Sequence, residues 1–335
     1  MKKDLKVAIL GVTGAVGQEL LAIIEERKFP FASLKMLASG RSAGKEQKFM
    51  GKTYRIEEAT PDSFKGIDLV LASAGGSISK ALAPHAVKAG AVVVDNTSAF
   101  RMDPEVPLVI PEINPEDIAK HKGIIANPNC STIIALVPLW PIHKAAKIKR
   151  VVAATYQAAS GAGAKAMEEL ELQAKDFLAG RPVRKNVLPH QIAFNVFSHN
   201  SKIGPDGYNE EETKMVKETR KIFHDPDIQI TATCVRVPVL RAHSEALTVE
   251  TERPITSDEA RALLAKAPGV KIVDDREKNY FPMPLETTGQ DDVFVGRLRI
   301  DPTVKHGLVM FVSGDQIRKG AATNAVQIAE ILFKG

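Results

Sequence analysis

The sequence predicts a two-domain α/β protein: a parallel-sheet domain first, then an α+β domain built on a mixed sheet. Three observations carry that prediction. The chain opens on an apolar run, a glycine-rich turn and a helical pattern, and strands and helices keep alternating as far as Asp95, as a parallel sheet requires. Beyond Cys130 the texture changes to longer strands mixed with amphipathic helices. The length, 335 residues, exceeds what one hydrophobic core comfortably serves.

In chain order, residues 7–10 (Val-Ala-Ile-Leu) form a short buried strand. They run into Gly11, Val12, Thr13, Gly14, Ala15, Val16 and Gly17, and then into a helical pattern over residues 19–26. Strand, glycine turn and helix are the setting of a dinucleotide loop, because glycines let the backbone approach a pyrophosphate that rests on the helix N-terminus. The spacing is G-x-x-G-x-x-G rather than G-x-G-x-x-G, and a ligand-free tight turn is the competing reading; the position at the start of the chain favours the dinucleotide. The second strand, residues 34–38, leads into Ser39-Gly40-Arg41-Ser42-Ala43-Gly44. An NAD site usually places an acidic residue here, whereas Arg41 and Ser42 suit a 2′-phosphate, so the loop points to NADP.

Residues 68–72 are a further strand, Gly75-Gly76-Ser77 a turn, 78–88 a helix and 91–95 the next strand. This half reads as a Rossmann-like domain. Arg101 leaves the same sheet edge, either as an anion ligand or as an ordinary surface arginine.

The junction is Asn127-Pro128-Asn129-Cys130-Ser131-Thr132, between a strand at 123–126 and an apolar helical run at 133–140. A cysteine at a helix start meets unpaired amides and the positive end of the dipole, which favour a thiolate. These six residues leave two readings open: a nucleophile, or a small buried residue in a capping turn.

In the second half, strands are expected over 150–156, 228–239, 243–252, 293–300 and 308–312, with helices over 165–178, 209–223 and 257–266. The stretch 179–201 is a long loop without assigned structure. A last helix, 319–333, returns to the first domain. The expected domain limits are 1–130, 131–316 and 317–335. Gln157 leaves the first of these strands just before Ser160 and Gly161. Glu211 and Lys214 lie three apart on a helix face, which by itself reads as a surface ion pair. Alternation over 228–236 puts Cys234 and Arg236 on one apolar face; Cys234 reads as core, and a charge ending such a face suggests a site. His243 follows a proline-containing bend and by itself reads as structural. Arg241 reads as solvent-facing.

Composition narrows the function classes. The net charge of +5 comes from basic residues scattered along the chain, with no polybasic block or aromatic interleaving, so nucleic acid is not an indicated partner. Two cysteines give no disulfide framework, which suits a reducing cytoplasm. No apolar run is long enough to span a bilayer, and the N-terminal one is too short for a signal peptide.

Taken together, GVTGAVG, RSAG, DNTSAFRM at 95–102, IPEIN at 110–114, NPNCST, QAASGAG from Gln157, NEEETK at 209–214, CVRVPVLRAHS at 234–244 and AATNAVQIAE in the last helix resemble the aspartate-semialdehyde dehydrogenase family along essentially the whole chain. That family is grouped with phosphorylating glyceraldehyde-3-phosphate and N-acetylglutamyl-phosphate enzymes. The resemblance implies reduction of 4-aspartyl phosphate through a Cys130 thioester, with Gln157 orienting the intermediate and His243 as acid/base. It implies that Arg236 and Glu211 hold the amino-acid end of a small-molecule substrate, that Asn129 lines its site, and that Arg101 and Lys214 hold phosphate. Gly11, Thr13, Gly14, Ala15, Val16, Arg41, Ser42, Ser160, Gly161 and Asn324 would contact NADP, and the protein would be a homodimer. Two rivals stand beside this reading: the analogous enzyme for an N-acylated glutamyl phosphate, and a non-catalytic NADP-binding protein. The joint presence of Cys130, Gln157 and His243 weighs against the second.

Overall fold

A computed structural model describes residues 4–334. The chain forms two compact units, one made of Met1–Asn129 with Ala321–Gly335, the other of Cys130–Gly320.

The first unit contains β1 (Lys6–Leu10), α1 (Ala15–Glu26), β2 (Ser33–Ala38), β3 (Glu46–Phe49), β4 (Lys52–Arg55), β5 (Glu57–Glu58), β6 (Leu69–Ala72), α2 (Gly76–Lys88), β7 (Val92–Asp95) and β8 (Ile124–Ala126). Its main sheet runs β5-β2-β1-β6-β7-β8, with every pairing parallel. Val7 and Ile9 face one layer with Leu20, Ile23 and Ile24 of α1. Ala8 and Leu10 face the other, with Leu82, Ala83 and Ala86 of α2. Burial on both faces is why β1 reads as an unbroken apolar run instead of an alternation. The C-terminal helix Thr323–Leu332 joins the first layer through Ala325, Val326, Ile328 and Ala329, and its Glu330 pairs with Arg27 at 2.6 Å.

The chain passes from β1 to β2 on one side and to β6 on the other, so the strand order reverses beside β1. The carboxyl end of such a strand is where open α/β sheets take ligands. Packing dictates two glycines here. Gly11 has φ +91°, and a Cβ on it would lie 2.9 Å from the Ala74 backbone; a Cβ on Gly17 would lie 2.3 Å from the Gly11 carbonyl oxygen. The hairpin β3–β4, absent from the sequence expectation, turns through Met50 and Gly51, both at positive φ.

The second unit contains α3 (Cys130–Ala146), β9 (Ile148–Gln157), α4 (Ala164–Leu178), β10 (Phe197–Ser198), α5 (Glu210–Ile222), β11 (Gln229–Arg236), β12 (His243–Thr251), α6 (Ser257–Leu264), β13 (Val270–Ile272), β14 (Val293–Asp301) and β15 (Gly307–Gly314). The sheet order is β10-β11-β9-β12-β15-β14-β13, with β9 and β11 parallel and β9 and β12 antiparallel. α3 is buried around nearly its whole circumference and tolerates Pro138 and Pro141. It packs on β12, β14 and β15 with α5 and α6 beside it. The opposite face of the sheet is apolar and only half covered: Val152, Ala154 and Phe311 are half-buried and Tyr156 is exposed.

The stretch 179–201 is the long loop the sequence suggested, with β10 its only strand, but it is tied down by specific hydrogen bonds. The Glu169 carboxylate accepts from the amides of Asn186 and Val187, each at 2.6 Å, and of Leu188 at 3.0 Å. Gln173 accepts from those of Ile192 and Ala193. β10 then joins the sheet edge beside β11. Among the described residues no helix is long and apolar enough to cross a membrane.

Candidate active site

Strand register brings three side chains of the second unit to one place. β9 and β11 run parallel with Gln157 opposite Arg236. β12 runs back along β9 with Ser244 opposite Tyr156, so His243 begins where β9 ends. All three side chains are buried: Gln157 is 1% exposed, Arg236 3% and His243 0%. A buried polar group must find partners, and Gln157 and Arg236 find each other. Gln157 donates from Nε2 to Ser131 Oγ at 2.8 Å and to Glu211 Oε1 at 3.4 Å. Arg236 Nη1 donates to the Ala158 carbonyl at 3.1 Å and to Gln157 Oε1 at 3.5 Å.

The Ala158 amide donates to His243 Nδ1 at 3.0 Å. That bond makes Nδ1 the acceptor, so a neutral ring carries its proton on Nε2. Nε2 has no hydrogen-bond partner among the described residues. Burial first, then the Arg236 charge, hold His243 down to about 3. The ring is therefore neutral at rest, with an N–H free to donate. Burial also draws Arg236 down, against the opposing charges of Glu211 and Cys130.

Cys130 is the first residue of α3 and is half-buried, so it meets the helix-terminal amides. A Cβ on Gly320 would lie 2.9 Å from Cys130 Cβ, so glycine there keeps the cysteine's surroundings open. Cys234 is 0% exposed and burial pushes its thiol well up, the opposite of what a nucleophile needs.

Three isolated readings of the sequence change. Glu211 and Lys214 do pair, at 3.1 Å, but Glu211 is buried inside the cluster instead of lying on a solvated surface. It stands in the first turn of α5, which is closed by a capping box between Asn209 and Glu212. Arg101 is not a surface residue: in the first unit it is 7% exposed and donates to the carbonyls of Asn127 at 2.9 Å and Asn96 at 2.8 Å. Arg241 is not solvent-facing either, since its Nε donates to the fully buried Asp315 at 2.7 Å. A bare arginine on a loop carries no sequence signal of the backbone it will hold.

The remaining residues divide by unit. In the first, Thr13 and Gly14 are exposed, and Ala15 and Val16 begin α1, whose N-terminus has no side-chain cap. Arg41 is exposed and Ser42 half-buried in the turn after β2. Asn129 is 5% exposed; Asn324 is fully buried and donates to Asn127 Oδ1 at 2.7 Å and the Val109 carbonyl at 3.0 Å. In the second, Ser160 Oγ accepts from Gln316 Nε2, and Gly161 lies against the side chains of Arg236 and His243. Sequence reading missed Ser131 as the partner of Gln157, and it missed Gln316 and Asn200, which accepts from Arg236 Nε at 3.2 Å. The hydroxyl beside the cysteine was the only signal available for any of them.

Comparison with known proteins gives the family. The family model described as semialdehyde dehydrogenase, NAD binding domain, matches residues 6–121, and the one described as semialdehyde dehydrogenase, dimerisation domain, matches residues 139–319. An aspartate-semialdehyde dehydrogenase of Synechocystis sp. is 60% identical over 100% of this chain and 99% of its own. One of Aquifex aeolicus is 55% identical over 98% of each. The crystal structure of aspartate semialdehyde dehydrogenase II from Vibrio cholerae, complexed with ASA, superposes with a TM-score of 0.95 at 45% identity, covering 99% of this chain and 98% of that one. With both halves matched by one family's models and full-length relatives at this identity, the chain belongs to the aspartate-semialdehyde dehydrogenase family.

Proposed function

We propose that the chain reduces 4-aspartyl phosphate to aspartate 4-semialdehyde with NADPH, reversibly, through a thioester on Cys130, as a step toward lysine or diaminopimelate, threonine and methionine. The observation that supports this most is the buried cluster of Gln157, Arg236, Glu211 and His243 in the unit whose first helix begins at Cys130. The Cys130 thiolate attacks the acyl carbonyl, a carbon–sulfur bond forms, and phosphate leaves with the carbon–oxygen bond pair. When bound, NADPH supplies the hydride that reduces the thioester. His243 Nε2–H faces the oxygen that gains charge and exchanges its proton with it as the thiohemiacetal collapses to aldehyde and thiolate. Gln157, held by Ser131, orients the same carbonyl.

Arg236 takes the substrate carboxylate through Nη2, the guanidinium nitrogen its protein partners leave open, and the Glu211 carboxylate beside it takes the ammonium group. An N-acylated substrate has no ammonium to offer a buried carboxylate, which favours the free amino acid over the glutamyl rival. Phosphate is assigned to Lys214 and Arg101.

The first unit fits a dinucleotide: Gly11 and Gly17 leave no room for a Cβ, and the α1 amides have no side-chain cap. Gly14, Thr13, Ala15 and Val16 would hold the pyrophosphate, with Asn324, Ser160 and Gly161 as further contacts. Arg41 and Ser42 select NADP over NAD. The half-covered apolar sheet face with Tyr156 and Phe311 is the surface on which a homodimer forms. A reactive thiol and a reduced dinucleotide both suit the cytoplasm.

The test is direct. Protein mixed with aspartate semialdehyde, phosphate and NADP should generate NADPH absorbance; N-acetylglutamate semialdehyde should not replace the substrate. Turnover of the N-acylated aldehyde alone would overturn the assignment.

A further inference from the structure

We infer that Asn200 is a positioning residue for the reaction: it holds the Arg236 guanidinium by its Nε edge so that Nη2 stays directed to the substrate carboxylate. The inference rests on the assignment of Arg236 to that carboxylate.

A guanidinium is a rigid plane with five donors and no acceptor. Fixing two of its nitrogens fixes the third. Nε donates to Asn200 Oδ1 at 3.2 Å and Nη1 to the Ala158 carbonyl at 3.1 Å. Nη2 makes no hydrogen bond among the described residues, so it is the nitrogen left for a ligand. Because Nε can only donate, the amide of Asn200 must present its oxygen, which fixes the asparagine as well.

The fold delivers Asn200 to this position by a chain of contacts. β10 pairs with β11 with Phe197 opposite Arg236. The next amide, His199, donates to the Cys234 carbonyl at 2.8 Å. Ser201 then accepts from the Glu211 amide at 3.2 Å and shares a 3.0 Å hydrogen bond with His199 Nδ1. Residues 199–201 thus form a short clasp from the sheet edge to the start of α5, with the asparagine side chain reaching Arg236. His199 is held near 4, by burial first and the Arg236 charge second, so the arginine meets no second cation in the clasp. The asparagine itself is exposed, so removing its amide disturbs no packed core.

The experiment uses three variants of the full-length protein: Asn200→Ala, Arg236→Lys and the two combined, with each substrate varied in turn and melting temperatures recorded. Asn200→Ala should raise the KM for aspartate semialdehyde about tenfold, the loss of one charge-assisted hydrogen bond, with a smaller fall in kcat. The KM values for phosphate and NADP should stay within about twofold of the unmodified protein, and melting should not change. Lysine has no Nε edge to hold, so Asn200→Ala should add nothing in the Arg236→Lys background. An unchanged aspartate semialdehyde KM in Asn200→Ala, or effects that multiply in the double variant, would overturn the positioning role while leaving Arg236 in place. An unchanged KM in Arg236→Lys would instead remove the assignment of Arg236, and this inference with it.

Discussion

Gly161 offers a purely steric test of the cluster. It lies in the short turn Ala159–Ala162 after β9 and is not among the glycines at positive φ, so alanine introduces no backbone strain. Its Cβ, however, would lie 2.7 Å from Arg236 Nη1, 3.0 Å from His243 Cε1 and 3.1 Å from His243 Nε2. Ordinary contact begins near 3.4 Å, so the guanidinium must withdraw by about 0.7 Å and the imidazole by about 0.4 Å. Neither moves freely. Both are buried, and both are tied to Ala158, one through its carbonyl and the other through its amide. The turn cannot retreat easily either, because the amides of Ala159 and Ser160 donate to the carbonyls of Val239 and Leu240.

A 1 Å misplacement of a reacting group costs about a hundredfold. Gly161→Ala should therefore lose roughly ten- to a hundredfold in kcat/KM for aspartate semialdehyde, with at most ~1–3 kcal/mol of stability lost to overpacking. Steady-state kinetics beside a thermal melt separates the two effects. Gly163→Ala is the control. Its φ is +93° with nothing within 4 Å of the added methyl, so it should lose ~1–2 kcal/mol of stability to strain and keep its kcat. A folded Gly161→Ala enzyme with normal kcat/KM would refute the placement of Arg236 and His243 around the substrate.

Other outcomes follow from the same geometry. Cys130→Ser should abolish turnover and acyl-enzyme formation, a hydroxyl being a far weaker nucleophile at neutral pH; mass spectrometry of the acylated protein reads it, and Cys234→Ser should alter melting more than rate. Arg41→Ala should raise the KM for NADP and narrow the gap to NAD; equal use of both by the unmodified protein would end the NADP assignment. His243 and His199 are held to about 3 and about 4, below the ordinary value of 6.5. Between those values the unfolded chain binds protons the native state refuses, so stability is full above about pH 6.5 and falls as the pH drops toward 4, by roughly 1.4 kcal/mol per pH unit for each ring. Denaturant titrations across that range check the slope, which His199→Asn should shallow.

The first unit was legible because its rules are local. β1 is buried on both faces and therefore apolar throughout, and Gly11 and Gly17 stand where no side chain fits. The hairpin β3–β4 escaped because it turns through Met50 and Gly51, a pair without the usual Asn-Gly or Asp-Gly signal. In the second unit, alternation correctly put Cys234 and Arg236 on one face. What periodicity cannot carry is a polar contact between distant residues. Glu169 gathers three loop amides from 17 to 19 residues away, and Asn200 reaches Arg236 across 36. In isolation both look like ordinary solvated side chains. The burial of Glu211 and Arg101 was hidden for the same reason: their partners are largely backbone carbonyls and neighbouring charges, to which sequence spacing is blind.

The C-terminal helix Thr323–Leu332 sets an order on synthesis. It fills the layer of the first unit that holds α1, alongside Ile9, Leu20 and Ile24, yet it is made after the whole of the second unit. Residues 130–320 are all available before it leaves the ribosome, so the second unit can close while the first still has an open apolar seam. Domains usually fold in the order they emerge; here the one that begins first finishes second. Until that helix docks, the nascent dinucleotide domain presents to solvent the apolar sides of α1, β6 and β7 that the helix covers, and a chaperone meeting this chain during translation would find its hydrophobic surface there.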